Sequence, residues 1–112
     1  MNKDLLIKAN VDYENGKNRF AGNEALYEKY LLKFREDKHF ADAKEAFTAG
    51  DYQKLLSETH ALKGVAGTLG LIDVYQASAD IVVAIRTENA GAVPALYETL
   101  VASYDKIMEI LK

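Results

Sequence analysis

The sequence predicts an all-α protein, an antiparallel up-down four-helix bundle with one or two short N-terminal helices. The chain has 112 residues and a single proline, and its many alanine, leucine, glutamate and lysine residues favour helix. Apolar residues recur every three or four positions, as they do on the buried face of a helix. The breaks between these segments are short, which favours antiparallel neighbours. We therefore expect one domain over residues 1–112.

The first 20 residues carry the weakest helical pattern. Asp12 is suited to cap a short helix, because an aspartate side chain accepts hydrogen bonds from the free N–H groups of a first turn. Four apolar residues of this segment are expected to pack on the bundle: Leu5, Leu6, Val11 and Phe20.

The first bundle helix is expected to begin at Asn23, which is a favourable N-cap. Its apolar residues follow a spacing of four: Leu26, Tyr30 and Phe34. The helix either continues through residues 37–39 or kinks there, and a second apolar group then follows: Phe40, Ala43 and Phe47. Gly50 marks the next break.

The second bundle helix is predicted to begin after its N-cap, Asp51, and to end at Gly70. Alternating spacings of three and four separate its core-facing residues: Tyr52, Leu55, Thr59, Leu62, Ala66 and Leu69. This spacing is typical of helices in four-helix bundles.

The third and fourth bundle helices show the same periodicity. The third is predicted over Ile72 to Thr87, and one side of it carries Tyr75, Ser78, Ile81, Val82 and Ile85. The fourth has Pro94 in its first turn, where the missing N–H costs nothing. Its buried side is expected to carry Val93, Leu96, Leu100, Tyr104, Ile107 and Leu111.

Composition excludes several classes of function. The absence of cysteine excludes disulfides, thiolate metal sites and cysteine nucleophiles. The net charge is −3 and the 14 basic residues are dispersed, unlike the basic surface of a nucleic-acid-binding protein. No apolar run approaches the ~20 residues of a membrane span, and the first residues lack a signal peptide's apolar core. We expect a cytoplasmic monomer that binds neither nucleic acid nor membrane.

The two histidines, His39 and His60, lie in different surroundings. His39 belongs to a run of mixed charge and is expected to be solvated surface. No recognisable ligand spacing joins either histidine to Glu58 or Asp80, so no metal site is predicted.

The stretch HALKGVAGTLG, residues 60–70, places two glycines inside a predicted helix, where each costs about 1 kcal/mol relative to alanine. At 100° per residue, His60 lies about 130° and Gly64 about 170° from the core-facing side, so both point outward. Helical side chains tilt toward the N-terminus, so any side chain at position 64 would lean over His60. Glycine therefore leaves the imidazole open.

Lys63 lies three residues after His60 and leans back beside it. A neutral imidazole is nucleophilic near pH 7, and phosphoryl transfer onto it requires mainly positioning and charge neutralisation. The sequence contains no Walker-type or kinase-type glycine loop, so the machinery of a phosphoryl donor has to come from elsewhere.

Residues around His60 offer a surface for a partner. Gln53 and Ser57 lie on the same face as His60. Leu56 and Val65 lie about 90° from the core-facing side, as peripheral core or as the border of an apolar patch. Gly67, at about 110°, is either a packing glycine or part of the open surface.

Residues 60–66 (HALKGVA), followed by Leu69 and Gly70, resemble the signature of histidine-containing phosphotransfer (HPt) domains. The similarity runs from about Val11 to the C-terminus. It includes VDYENGKNRFAGNEALYEKYLLKF and AFTAGDYQKLLSETHALKG.

The resemblance implies a four-helix-bundle phosphorelay intermediate without a kinase site. His60 would accept a phosphoryl group from the aspartate of a response-regulator receiver domain and pass it to another receiver. A hybrid sensor kinase is a further possible partner. Lys63 would steady the phosphoryl oxygens, and Gly64 would keep the ring accessible. The chain would have no cofactor of its own, because the Mg²⁺ used in transfer belongs to the receiver.

Some HPt domains also place a basic or amide side chain on the helix that follows the histidine. Arg86 is a candidate for this role, although Val82 lies closer to the level of His60.

Three alternatives remain beside a free-standing relay protein. A histidine-kinase dimerisation domain is disfavoured, because one chain here supplies four helices and LKG follows His60 instead of a pattern such as ExRxPL. The chain could be a phosphotransfer domain cut from a larger sensor or chemotaxis-type kinase. It could also be a non-catalytic helical adaptor, although His60 and Lys63 are both present.

Overall fold

The computed structural model describes all 112 residues, and its regular structure is helical. Seven α-helices follow one another along the chain: α1 Lys3–Lys8, α2 Tyr13–Asn18, α3 Glu24–Lys33, α4 His39–Ala49, α5 Tyr52–Leu69, α6 Ile72–Arg86 and α7 Val93–Leu111. Short 3₁₀ turns occupy Phe34–Glu36 and Ala90–Ala92. The prediction of an all-α bundle is confirmed. No helix combines the length and apolar character needed to cross a membrane.

The bundle consists of the α3–α4 pair, α5, α6 and α7. Helix α5 packs against both α4 and α6, and α6 packs against α7. Stacked aromatic rings join α4 to α7, with centroid distances of 3.8 Å for Phe40 and Tyr104 and 4.0 Å for Phe47 and Tyr97. The two short helices α1 and α2 contact α7 and α5, respectively.

The predicted N-caps are confirmed at three helices. The side chains of Asp12, Asn23 and Asp51 accept hydrogen bonds from backbone N–H groups in the first turns of α2, α3 and α5. The predicted core-facing residues of α5 are also confirmed, because Leu55, Thr59, Leu62, Ala66 and Leu69 are buried and Tyr52 is partly buried.

A break separates α3 from α4, so the kinked alternative is the one observed. Helix α3 passes into the 3₁₀ turn, and Asp37 then adopts an extended conformation with φ −68° and ψ 132°. Its side chain accepts a hydrogen bond of 2.9 Å from the backbone N–H of His39, the first residue of α4.

The predicted apolar face of α3 is confirmed at Phe34 and is wrong by one residue at Leu26 and Tyr30. Tyr27, Leu31 and Phe34 are buried, whereas Leu26 is only partly buried and Tyr30 is exposed. The cause is a long-range contact: the Tyr27 hydroxyl donates a hydrogen bond of 2.6 Å to the carbonyl of Leu69. Both residue sets have helical spacing, so periodicity alone does not distinguish them.

Two smaller corrections concern α1 and α6. In α1, Leu6 is fully buried and Leu5 is exposed. In α6, Val74 and Ala77 are buried, and Tyr75 is exposed on the side that faces the C-terminal half of α5.

The N-terminal region closes the C-terminal end of α5. Gly70 ends this helix in the left-handed conformation, with φ +76°, and its carbonyl accepts a 2.8 Å hydrogen bond from the backbone N–H of Asp12. The carbonyl of Leu69 accepts the Tyr27 hydroxyl, and the carbonyl of Thr68 accepts the Arg19 guanidinium at 3.5 Å. Three consecutive carbonyls are therefore satisfied by residues far away in the sequence.

His39 is not simply solvated surface, in contrast to the prediction. Its Nδ1 lies 3.0 Å from Oε2 of Glu58, so the contact joins the start of α4 to the middle of α5. The hydrogen bond with Glu58 raises the pKa of His39, burial opposes this effect, and the charges of Asp37 and Asp42 add to it.

Replacement of Gly70 by alanine should destabilise the protein. An added Cβ would lie 2.6 Å from the backbone oxygen of Asp12, and the positive φ is unfavourable for alanine. We expect Gly70→Ala to lower the free energy of unfolding by about 2 kcal/mol or more, measured by urea denaturation. Gly91→Ala is the control, since a Cβ there meets open space. Equal effects of the two substitutions would contradict this account of the turn.

The pair of His39 and Glu58 should make stability depend on pH. Because the folded-state pKa of His39 is raised, the contribution is complete below the unfolded pKa of about 6.5 and is lost as pH rises through the folded value. The imidazole side chain is 39% exposed, so we expect less than about 1 kcal/mol. Urea denaturation of the wild type and Glu58→Gln should show a larger difference at low pH than at high pH. A difference that does not change with pH would argue against the pair.

Candidate functional site

Helix α5 divides into a buried side and an open side. Thr59 and Leu62 are fully buried, whereas His60 between them is exposed. The structure therefore places the His60 imidazole on the solvent side of the bundle, as the helical phase predicted.

Gly64 lies one turn after His60 in open space. A Cβ built at this position would have no heavy atom within 4 Å beyond its own helix neighbours. Packing between helices therefore does not require a glycine here. The open space also means that any side chain at this position would be free to occupy the approach to His60.

A shallow groove runs beside His60 between α5 and the start of α6. Its lining includes His60, Lys63, Gly64, Gly67 and Tyr75, together with Arg19 and Gln76. Lys63 is partly buried, and its Nζ lies 5.7 Å from the centroid of the Tyr75 ring. The structure thus brings the predicted residues His60, Lys63, Gly64 and Gly67 to one surface.

A second shallow groove lies on the other side of Gly64, between α3 and α5. Its apolar lining includes Phe20, Tyr30, Phe34, Ala61 and Val65. Val65 packs against the core and also lines this groove. Both predicted alternatives, peripheral core and border of an apolar patch, therefore apply to it. Lys33, Glu36 and Asp37 add charged groups to this lining.

The arrangement can present a nucleophilic nitrogen to another molecule. The imidazole is exposed, the position one turn later has no side chain, and an ammonium group lines the same groove. No cluster of three or more histidine, cysteine, aspartate or glutamate side chains is arranged to hold a metal ion.

The sequence model of the Hpt domain family matches residues 30–109. The chain belongs to the Hpt domain family. Searches of curated proteins and of solved structures gave no significant match. Hpt domains are phosphocarrier modules that take part in histidine phosphotransfer in two-component systems, where they interact with receiver domains. The match begins at residue 30, so the similarity suggested for residues 11–29 stays a prediction.

Of the residues predicted as weaker docking candidates on this Hpt domain, some lie near His60 and one does not. Gln53 and Ser57 are exposed on the His60 face of α5, and Leu56 beside them is partly buried. Gly67 is a packing position, since a Cβ there would approach the Tyr75 ring to 3.2 Å. Arg86 is exposed at the far end of α6 and does not line the groove beside His60, so the structure does not support its place there.

Among the groove residues that sequence reasoning did not assign to the site are Arg19, Tyr75 and Gln76. Arg19 follows α2, and Tyr75 and Gln76 belong to the first two turns of α6. Gln76 donates a hydrogen bond of 2.9 Å to Asp80. Arg19 gave no sequence signal, because it reaches the groove only through the docking of the N-terminal region. Tyr75 had a signal in Gly67, whose missing side chain makes room for a ring.

Substitution of Gly64 should raise stability and reduce access to His60. Gly64→Ala should increase the free energy of unfolding by about 1 kcal/mol, because alanine favours helix and the position is open. Gly64→Leu should also stabilise the protein, but its side chain should lean over the imidazole. Modification of His60 by diethyl pyrocarbonate, measured by mass spectrometry, should be slower in Gly64→Leu than in the wild type.

The internal control for this modification rate is His39 in the same molecule. An unchanged His60 rate in Gly64→Leu would show that Gly64 does not govern access.

Proposed function

We propose that this Hpt domain is a phosphorelay intermediate that accepts a phosphoryl group on His60 from the aspartate of one receiver domain and delivers it to another. The observation that carries the proposal is the exposed His60 beside the side-chain-free Gly64, within the region that matches the family. The donor and acceptor bind one after the other at the same open side of α5.

The proposed reaction is a direct transfer between an acyl phosphate and a ring nitrogen. The lone pair of Nε2 of the His60 imidazole attacks phosphorus and forms the N–P bond. The P–O bond to the receiver aspartate breaks, and its electron pair leaves with the aspartate carboxylate. The proton on Nδ1 stays on the ring. Transfer to a second receiver is the reverse process, so the carrier needs no oxidant, reductant or nucleotide.

Lys63 supplies positive charge to the transferring group. It lies three residues after His60, on the same helix and in the same groove. Charge spreads over the phosphoryl oxygens in the transition state, so an adjacent ammonium group stabilises it. We assign the Mg²⁺ of the reaction to the receiver, and we assign no cofactor to this chain.

The receiver is proposed to approach across Gly64. The strip formed by Gln53, Ser57 and His60 is exposed along α5, and the two grooves lie on either side of Gly64. The apolar lining of the second groove adds contact area, while Gly64 allows the receiver backbone to come close to the ring. A monomer is sufficient for this approach, because one chain forms the whole open face.

Phosphoryl transfer from a phosphorylated receiver domain tests the proposal. The wild type should acquire acid-labile, base-stable label on His60, detected by intact mass and peptide mapping, and should return it to fresh receiver. His60→Gln should accept no label and keep the helical spectrum and unfolding midpoint of the wild type, because position 60 is exposed.

His39→Gln is the matched control and should still be labelled at His60. Label on His60→Gln would refute His60 as acceptor. Failure of the folded wild type to accept label from a panel of phosphorylated receivers would refute the relay function and favour a non-catalytic helical adaptor.

A further inference from the structure

Tyr75 is exposed yet fixed in place by α5. Its ring packs over Gly67, where an added Cβ would lie 3.2 Å from Cδ2 and 3.3 Å from Cε2. Both distances are shorter than ordinary van der Waals contact, so the ring occupies the space that a side chain at position 67 would need. Gly67 therefore forms a notch for Tyr75.

The same ring is the neighbour of the Lys63 ammonium group. The Nζ atom lies 5.7 Å from the ring centroid, within the range of a cation–π contact. Lys63 takes part in none of the side-chain ion pairs of the structure. Its position is thus biased by an aromatic face and not by a carboxylate.

This difference matters for a group that has to receive an anion. A carboxylate partner would neutralise the ammonium and compete with phosphoryl oxygens for its N–H donors. An aromatic face carries no net charge, so it attracts the ammonium without neutralising it, and it restricts the many rotamers that a lysine otherwise samples. The charge stays available at a defined place in the groove.

We propose that Tyr75 is a positioning residue, which holds the Lys63 ammonium in the groove that His60 also lines and is itself seated in the notch at Gly67. This inference rests on the proposed function, because its purpose is to place positive charge where the phosphoryl group arrives. Tyr75 acts through Lys63 and does not touch the reacting atoms.

The first test is a double-mutant cycle on the rate of transfer from a phosphorylated receiver to His60. Tyr75→Leu should slow transfer about two- to fivefold, the range that a single exposed cation–π contact allows. Tyr75→Phe keeps the ring and should retain most of the rate. In a Lys63→Met background, Tyr75→Leu should cause no further loss. The proposal would be overturned if Tyr75→Leu slowed transfer equally with Lys63 and with Lys63→Met. It would also be overturned if Tyr75→Leu caused no loss in the protein that retains Lys63.

The second test observes the contact directly and requires no receiver. Ring currents should shift the Lys63 ε-methylene protons upfield in the NMR spectra of the wild type and Tyr75→Phe, and this shift should disappear in Tyr75→Leu. Unshifted Lys63 protons in the wild type would refute the contact. Wild type that accepts no label at His60 would refute the proposed function itself. If the wild type is labelled and Tyr75→Leu accepts the phosphoryl group at the same rate, only the role of Tyr75 is refuted.

Discussion

The hydrogen bonds that close the C-terminal end of α5 are the interaction on which the rest of the structure depends. A helix that ends among other elements leaves its last carbonyls without partners unless the surroundings supply donors. Here the donors come from Asp12, Arg19 and Tyr27, each of which precedes the carbonyl that it binds by more than 40 residues. The turn at Gly70 aims its carbonyl at Asp12, and the N-terminal region docks as a consequence. This docking also brings Arg19 into the lining of the first groove and Phe20 into the lining of the second.

Packing of its other side in the core explains how α5 tolerates an open side. Leu55, Leu62 and Ala66 are fully buried on its other side, so tertiary packing holds the helix where its own propensity is weak. Gly64 and Gly67 lower that propensity for different reasons, one to leave a ring uncovered and the other to admit a ring. The two glycines thus differ in their surroundings, since a Cβ at Gly64 would meet open space and one at Gly67 would meet the Tyr75 ring.

Much of the fold was predictable because it is encoded locally. Caps at Asp12, Asn23 and Asp51 and the glycine ends of α4 and α5 mark boundaries within a few residues of the chain. The outward direction of His60 follows from helical phase alone.

What was not predictable depends on distant partners. The buried face of α3 was assigned wrongly at Leu26 and Tyr30, because the contact of Tyr27 with Leu69 selects between two equally periodic sets. Tyr75 was assigned to the core, although it is the ring seated over Gly67. Local spacing does not reveal that His39 meets Glu58 or that Arg19 reaches the groove.

The contacts between the N-terminal region and the end of α5 also show that the family match and the structural unit begin at different residues. The family match starts at residue 30, whereas all three donors that complete the end of α5 lie before it. A fragment cut at the matched boundary would keep His60, Lys63 and Gly64 but would leave the carbonyls of residues 68–70 without these partners. It would also uncover Leu71, which pairs with Val11 and is almost fully buried. The segment that completes the end of α5 therefore begins well before the segment that carries the family signature.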